Sequence, residues 1–97
     1  MDKTSLNGVR AHTLRVRYER VPGGSGMLVT YMVSYDKDIE QQLTRAMRLG
    51  CGVGVRGPNE DTARTLTLLD VTITPASVVL GEVSWISFKV WDPDPAT

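Results

Sequence analysis

The sequence predicts a small, mainly β domain of the α+β class: a strongly curved sheet or partly open barrel carrying one amphipathic helix, in the order β-β-α-β-β-β. Three observations predict it. Most of the chain alternates apolar and polar residues with a period of two, the period becomes helical once, over residues 37–49, and turns rich in glycine or proline separate the alternating runs. At 97 residues the chain suits one core and is too short for two independently packed lobes. Residues 1–97 are therefore read as a single domain, with a flexible N-terminus over 1–8 and a flexible C-terminal tail over 93–97.

The first strand runs from Val9 to Val21, where Leu14, Val16 and Tyr18 alternate with Thr13, Arg15, Arg17 and Glu19, the pattern of one buried face. Pro22-Gly23-Gly24-Ser25-Gly26 then supplies a hairpin loop longer than the tightest type. In the second strand, Met27 to Tyr35, one face carries Val29, Tyr31, Val33 and Tyr35 and the other Leu28 and Met32 with Thr30 and Ser34, which predicts a central position in the sheet. Between Lys37 and Leu49 the stripe Ile39, Leu43, Ala46, Met47 has helical spacing. Asp36, Asp38 and Glu40 suit the positive end of the helix dipole, Asp38 with Gln41 resembles a capping box, Arg45 and Arg48 suit the last turns, and Gly50 suits a left-handed C-terminus.

After the helix, Cys51, Val53 and Val55 alternate with Gly52, Gly54 and Arg56, a short strand whose second face is nearly bare and invites close packing. A turn over residues 57–61 leads to a long β run from Thr62 to Thr74, in which a phase slip at Leu68-Leu69 predicts a bulge or bend. Pro75 to Gly81 turns the chain, and a last strand from Glu82 to Trp91 ends at Asp92-Pro93-Asp94-Pro95, because proline has no ladder donor.

Composition excludes several functions. Eleven Lys and Arg balance eleven Asp and Glu, so the chain has no net field to coat a polyanion, and a nucleic-acid contact requires charge gathered on one face. One cysteine forms no internal disulfide, and the polar stretch from Met1 to Gly8 lacks the apolar core of a signal peptide; the expected compartment is the cytoplasm of a bacterium or of an infected host cell. No apolar run has the length of a membrane span.

Gly52-Val53-Gly54-Val55-Arg56-Gly57 matches G-x-G-x-x-G, but a dinucleotide site needs a strand before it and a helix after, and here the helix comes first. His12 and Cys51 are alone of their kinds, too few for a zinc site, and the acidic pairs Asp36/Asp38, Glu60/Asp61 and Asp92/Asp94 fall at a helix start, a turn and a terminus, where acids are common without any metal. No cofactor, metal or catalytic residue is expected.

Two patterns carry more. Between Val9 and Arg20, Arg10, Arg15, Arg17 and Arg20 oppose only Glu19, so charge is segregated within a neutral chain. In the last strand Ile86, Phe88 and Val90 share one face, and Trp85, Ser87, Lys89 and Trp91 share the other. With the first set inside, the tryptophans point outward, where indoles stack on bases or anchor a protein partner; covered by the helix, they are core.

The stretch Val53-Gly54-Val55-Arg56-Gly57 after a helix, followed by the run from Leu66 to Ile73, resembles the helix-then-two-strands closing half of oligonucleotide-binding (OB) domains that bind single-stranded DNA. The likeness covers roughly a quarter of the chain, and the order departs from it, since an OB barrel has three strands before its helix and two after. The expected function is a non-enzymatic module binding single-stranded nucleic acid across a curved β surface, with Arg15, Arg17, Arg56 and Lys89 on phosphates and Trp85, Trp91 and Tyr31 stacking bases. The alternative is an assembly or inhibitor module, such as a phage-type structural or counter-defence protein, that joins itself as a homo-oligomer or a protein partner through the aromatic face or an edge strand.

Overall fold

Three strands precede the helix and three follow it in the computed structural model, which describes residues 2–74 and 84–95. They are β1 (Lys3–Leu6), β2 (Val9–Arg20), β3 (Met27–Ser34), α1 (Lys37–Leu49), β4 (Gly52–Arg56), β5 (Arg64–Thr74) and β6 (Trp85–Asp92). The expected turn from Pro75 to Gly81 and the start of the last strand at Glu82 lie outside the described residues.

The strands close a barrel in the order β1-β2-β3-β6-β5-β4, every neighbouring pair antiparallel, with β4 returning to β1 at Leu6↔Val55 and Ser5↔Arg56. The mainly β barrel with one helix over 37–49 is as the sequence predicts. The added element is β1, in the stretch expected to be a flexible lead-in, and it completes the ring. Asn7 and Gly8, both at positive φ (49° and 86°), make the two-residue turn that folds β1 back on β2. Thr4 is buried, and its hydroxyl is satisfied by the Thr13 hydroxyl at 2.7 Å, so a polar residue occupies a core position without leaving an orphan group.

Inward side chains fill the barrel: Val29, Tyr31 and Val33 from β3, Ile86, Phe88 and Val90 from β6, Val53 and Val55 from β4, Leu66 and Leu68 from β5. Tyr31 stacks on Phe88 with ring centroids 5.3 Å apart. The helix packs against β5 and β4 and adds Ile39, Leu43 and Ala46 to this core. Its N-cap is Asp36, in extended geometry, whose Oδ1 accepts from the N–H groups of Asp38 at 2.8 Å and Ile39 at 3.1 Å; this replaces the capping box expected from Asp38 and Gln41. Gly50 ends the helix at φ 69°, as expected.

Two bulges shape the ring. The β5 irregularity falls between Leu68 and Asp70, where the phase slip predicted it, and another in β2 falls between Thr13 and Arg15. Leu14 is the residue left out of register at the second and is half exposed, while Val16 and Tyr18 stay level with the inward Tyr31 and Val29; Tyr18, expected on a buried face, is nonetheless 60% exposed, beyond the stretch of β2 that β1 covers. On the bare face of β4 a Cβ at Gly52 would meet the Thr65 side chain at 2.9 Å; at the strand's edge Asn7 donates its backbone N–H to the Gly54 carbonyl at 2.7 Å and accepts the Gly54 N–H on Oδ1 at 2.8 Å.

β1 covers β2 only from Val9 to His12, and β4 covers β5 only from Arg64 to Thr67. Beyond those positions, among the described residues, β2 has only β3 beside it and β5 has only β6.

Candidate binding face and barrel mouth

Because β3 and β6 pair in register from Met27↔Asp92 to Ser34↔Trp85, their outward residues form level rows that continue onto β2 and β5. One row is Arg17, Thr30, Lys89, Asp70; the next toward the start of β3 is Glu19, Leu28, Trp91, Thr67; on the other side lies Arg15, Met32, Ser87, Thr72; and Ser34, Trp85 and Thr74 follow. Trp85, Lys89 and Trp91 are all partly exposed, on the face opposite Ile86, Phe88 and Val90. The structure therefore brings Arg15, Arg17, Lys89, Trp85 and Trp91 onto one outer face.

Arg15 and Arg17 with Thr30 and Met32 enclose a groove of about 140 Å³ on this face. The positive charge is partly answered in place: Arg17 Nε lies 3.7 Å from Glu19 Oε1, and Lys89 is level with Asp70. The exposed Arg17–Glu19 pair is weak and contributes about 0–1 kcal/mol, so it yields readily to a competing anion. At the other end of β6, the Trp91 indole lies against Gly26, where a Cβ would collide with the ring; the missing side chain makes room for the indole.

Two expected site residues lie elsewhere. Tyr31 is 3% exposed and stacked inside the barrel, on the opposite side of the sheet from the tryptophans, so it offers no stacking platform. Arg56 belongs to β4 on the far wall, level with Ser5 and Arg10, and donates to the Glu60 carbonyl at 3.1 Å. The alternation that placed Tyr31 and Arg56 on strands says nothing of which wall each strand builds.

The sequence reading missed the barrel mouth. A cavity of about 440 Å³ opens there, lined by Tyr18, Met27, Tyr31, Pro58, Glu60, Arg64, Asp92 and Pro95. At its edge Arg64 grips Asp92 through two parallel hydrogen bonds, Nη1 to Oδ1 at 2.8 Å and Nη2 to Oδ2 at 2.6 Å, and also donates to the Asp94 carbonyl at 3.1 Å. The hydrogen bonds from Arg64 hold the Asp92 carboxyl below its ordinary range despite its burial, helped by the Asp94 N–H, and the same pair raises the Arg64 guanidinium. Glu60 stands 3.7 Å from Arg64 and accepts the Gly57 N–H at 2.8 Å. Burial, then the charge on Glu60, pushes the Tyr31 hydroxyl far above its usual value, so it stays protonated.

Other candidates are not assembled into sites. Among the described residues no three His, Cys, Asp or Glu side chains converge to hold a metal, and no helix is long and apolar enough to cross a membrane. Gly52 to Gly57 form a strand and the start of a turn, with no helix following. Compared with protein-family models, curated proteins and solved structures, the chain matches none of them.

Proposed function

We propose that the protein is a non-enzymatic module that binds single-stranded nucleic acid on the outer face of β2, β3, β6 and β5. The observation behind this reading is the meeting of Arg15, Arg17 and Lys89 with Trp85 and Trp91 on one continuous sheet face, from strands far apart in sequence. Cations there neutralise phosphates and the indoles stack on bases of any sequence, while Thr30 and Ser87 between them leave room for the backbone. The test is a titration of intrinsic tryptophan emission with a short oligothymidylate at low and moderate salt. Saturable quenching that weakens with salt is expected; Arg15→Ala with Arg17→Ala reduces the salt dependence, and Trp85→Ala costs about 1–3 kcal/mol of binding. Unchanged emission at low salt rejects the reading.

A second reading, a protein interface on the same face, is favoured by Leu28 and Met32, which interleave apolar surface with the tryptophans. It predicts a salt-insensitive assembly, seen by sedimentation and lost on Trp91→Ser.

A further inference from the structure

We propose that residues 14–20 of β2 are a strand-addition site for an extended segment of a partner protein in which acidic and apolar residues alternate. The site is the edge of β2 rather than the sheet face and stands without the nucleic-acid reading, although the outward side chains Arg15 and Arg17 belong to both.

β1 lies beside β2 from Val9 to His12, and the Thr13 N–H still donates to the Asp2 carbonyl at 3.1 Å; past that point, among the described residues, no strand lies on this side of β2. On its other side β2 pairs with β3 to Arg20, so the strand is held extended with one row of peptide groups that no described strand matches. An added strand continues the line of β1 and needs no rearrangement of the barrel.

The side chains specify the occupant. In the inward phase, Val16 and Tyr18 are level with Tyr31 and Val29, yet Tyr18 is 60% exposed because nothing lies beside it. Tyr18 forms one wall of the mouth cavity, whose apolar surfaces include Met27, Pro58 and Pro95 and which the charged cluster around Arg64 and Asp92 also lines. The inward residues of an added strand thus meet apolar surface. In the outward phase stand Arg15, Arg17 and Glu19, with Arg20 in the inward phase at the strand's end, and directly opposed charges on neighbouring strands stabilise a pair while like charges oppose it. Residues 14–20 hold three arginines against one glutamate, so a second copy brings more positive charge to this edge, whereas an acidic strand complements it.

The test uses the whole protein and a short synthetic peptide of alternating aspartate and valine, read by amide hydrogen exchange over residues 14–20 and by titration. Saturable binding with slowed exchange of those amides is expected. Two N-methylated peptides, each blocked on one of the two alternating sets of amides, separate strand pairing from charge attraction. The set facing β2 weakens binding about tenfold or more and the other set leaves it unchanged. Arg15→Glu with Arg17→Glu, both exposed positions, transfers the preference to a lysine–valine peptide, a gain that a misfolded variant does not show. The proposal is overturned by any of these results: no binding, equal binding by both methylated peptides, a dimer of the free protein whose 14–20 amides are already slow, or equal slowing by an oligothymidylate.

Discussion

The two sides of the barrel that β1 and β4 leave short are finished differently. On the β5 side the chain supplies its own cover: α1, fixed by the Asp36 cap and the Gly50 stop, brings Ile39, Leu43 and Ala46 into the core. On the β2 side there is a cavity, an exposed tyrosine and a polar cluster around Arg64 and Asp92. One side is closed by apolar packing, and the other is held by a polar pair beside an exposed tyrosine that the core does not cover. The difference shows a barrel whose two short sides carry unequal shares of its packing.

The largest effect that sharpens this contrast is expected on the covered side. Leu43 is fully buried, and Leu43→Ala should cost about 2–5 kcal/mol in urea unfolding, whereas Tyr18→Ala at the mouth should cost less than about 1 kcal/mol. Similar losses at both positions would break the comparison.

Next comes the mouth's own polar anchor. Arg64→Met strips the partner from Asp92, a residue only 3% exposed, and should cost about 2–3 kcal/mol, somewhat under a fully buried pair because Arg64 is partly open to water. The double change Arg64→Met with Asp92→Leu should recover most of this. The pH dependence has a definite sign: the folded Asp92 carboxyl lies below its unfolded value of about 3.9, so the pair's contribution is complete above that range and is lost as pH falls through the lowered folded value. The wild-type urea midpoint should therefore fall more between neutral pH and pH about 2 than that of the double variant. The smallest expected change is at the helix cap, where Asp36→Ala should cost about 1 kcal/mol and Asp36→Asn little, read as a shift in thermal midpoint.

Elements that depend on local pattern were legible in the sequence. The helix boundaries, the inward set of β6, the central place of β3 and the β5 bulge all follow from periodicity and turn residues, because burial on one face imposes those spacings. β1 escaped because its four residues include one apolar side chain, Leu6, and its core position Thr4 is polar. A signal was present nonetheless, since Asn7-Gly8 is the dipeptide of a two-residue hairpin. The candidate face was legible as far as β2 and β6 reveal it by alternation. Its fellowship with Leu28, Met32 and Asp70, the exclusion of Tyr31 and Arg56, and the Arg64–Asp92 grip depend on which strands are neighbours, which a single sequence does not encode in any period.

The ring order also bears on how the chain reaches its fold. β1-β2-β3 and β4-β5-β6 are each built from consecutive antiparallel neighbours, while the two seams that join them, Val29↔Val90 and Leu6↔Val55, bring together residues remote along the chain. Closing such seams pays its loop entropy before the contacts form, which places folding in the range of roughly milliseconds to seconds typical of barrels with nonlocal pairing. Each three-stranded half carries two seam strands whose edges only the other half covers, and Phe88 meets Tyr31 at the centre of the longer seam.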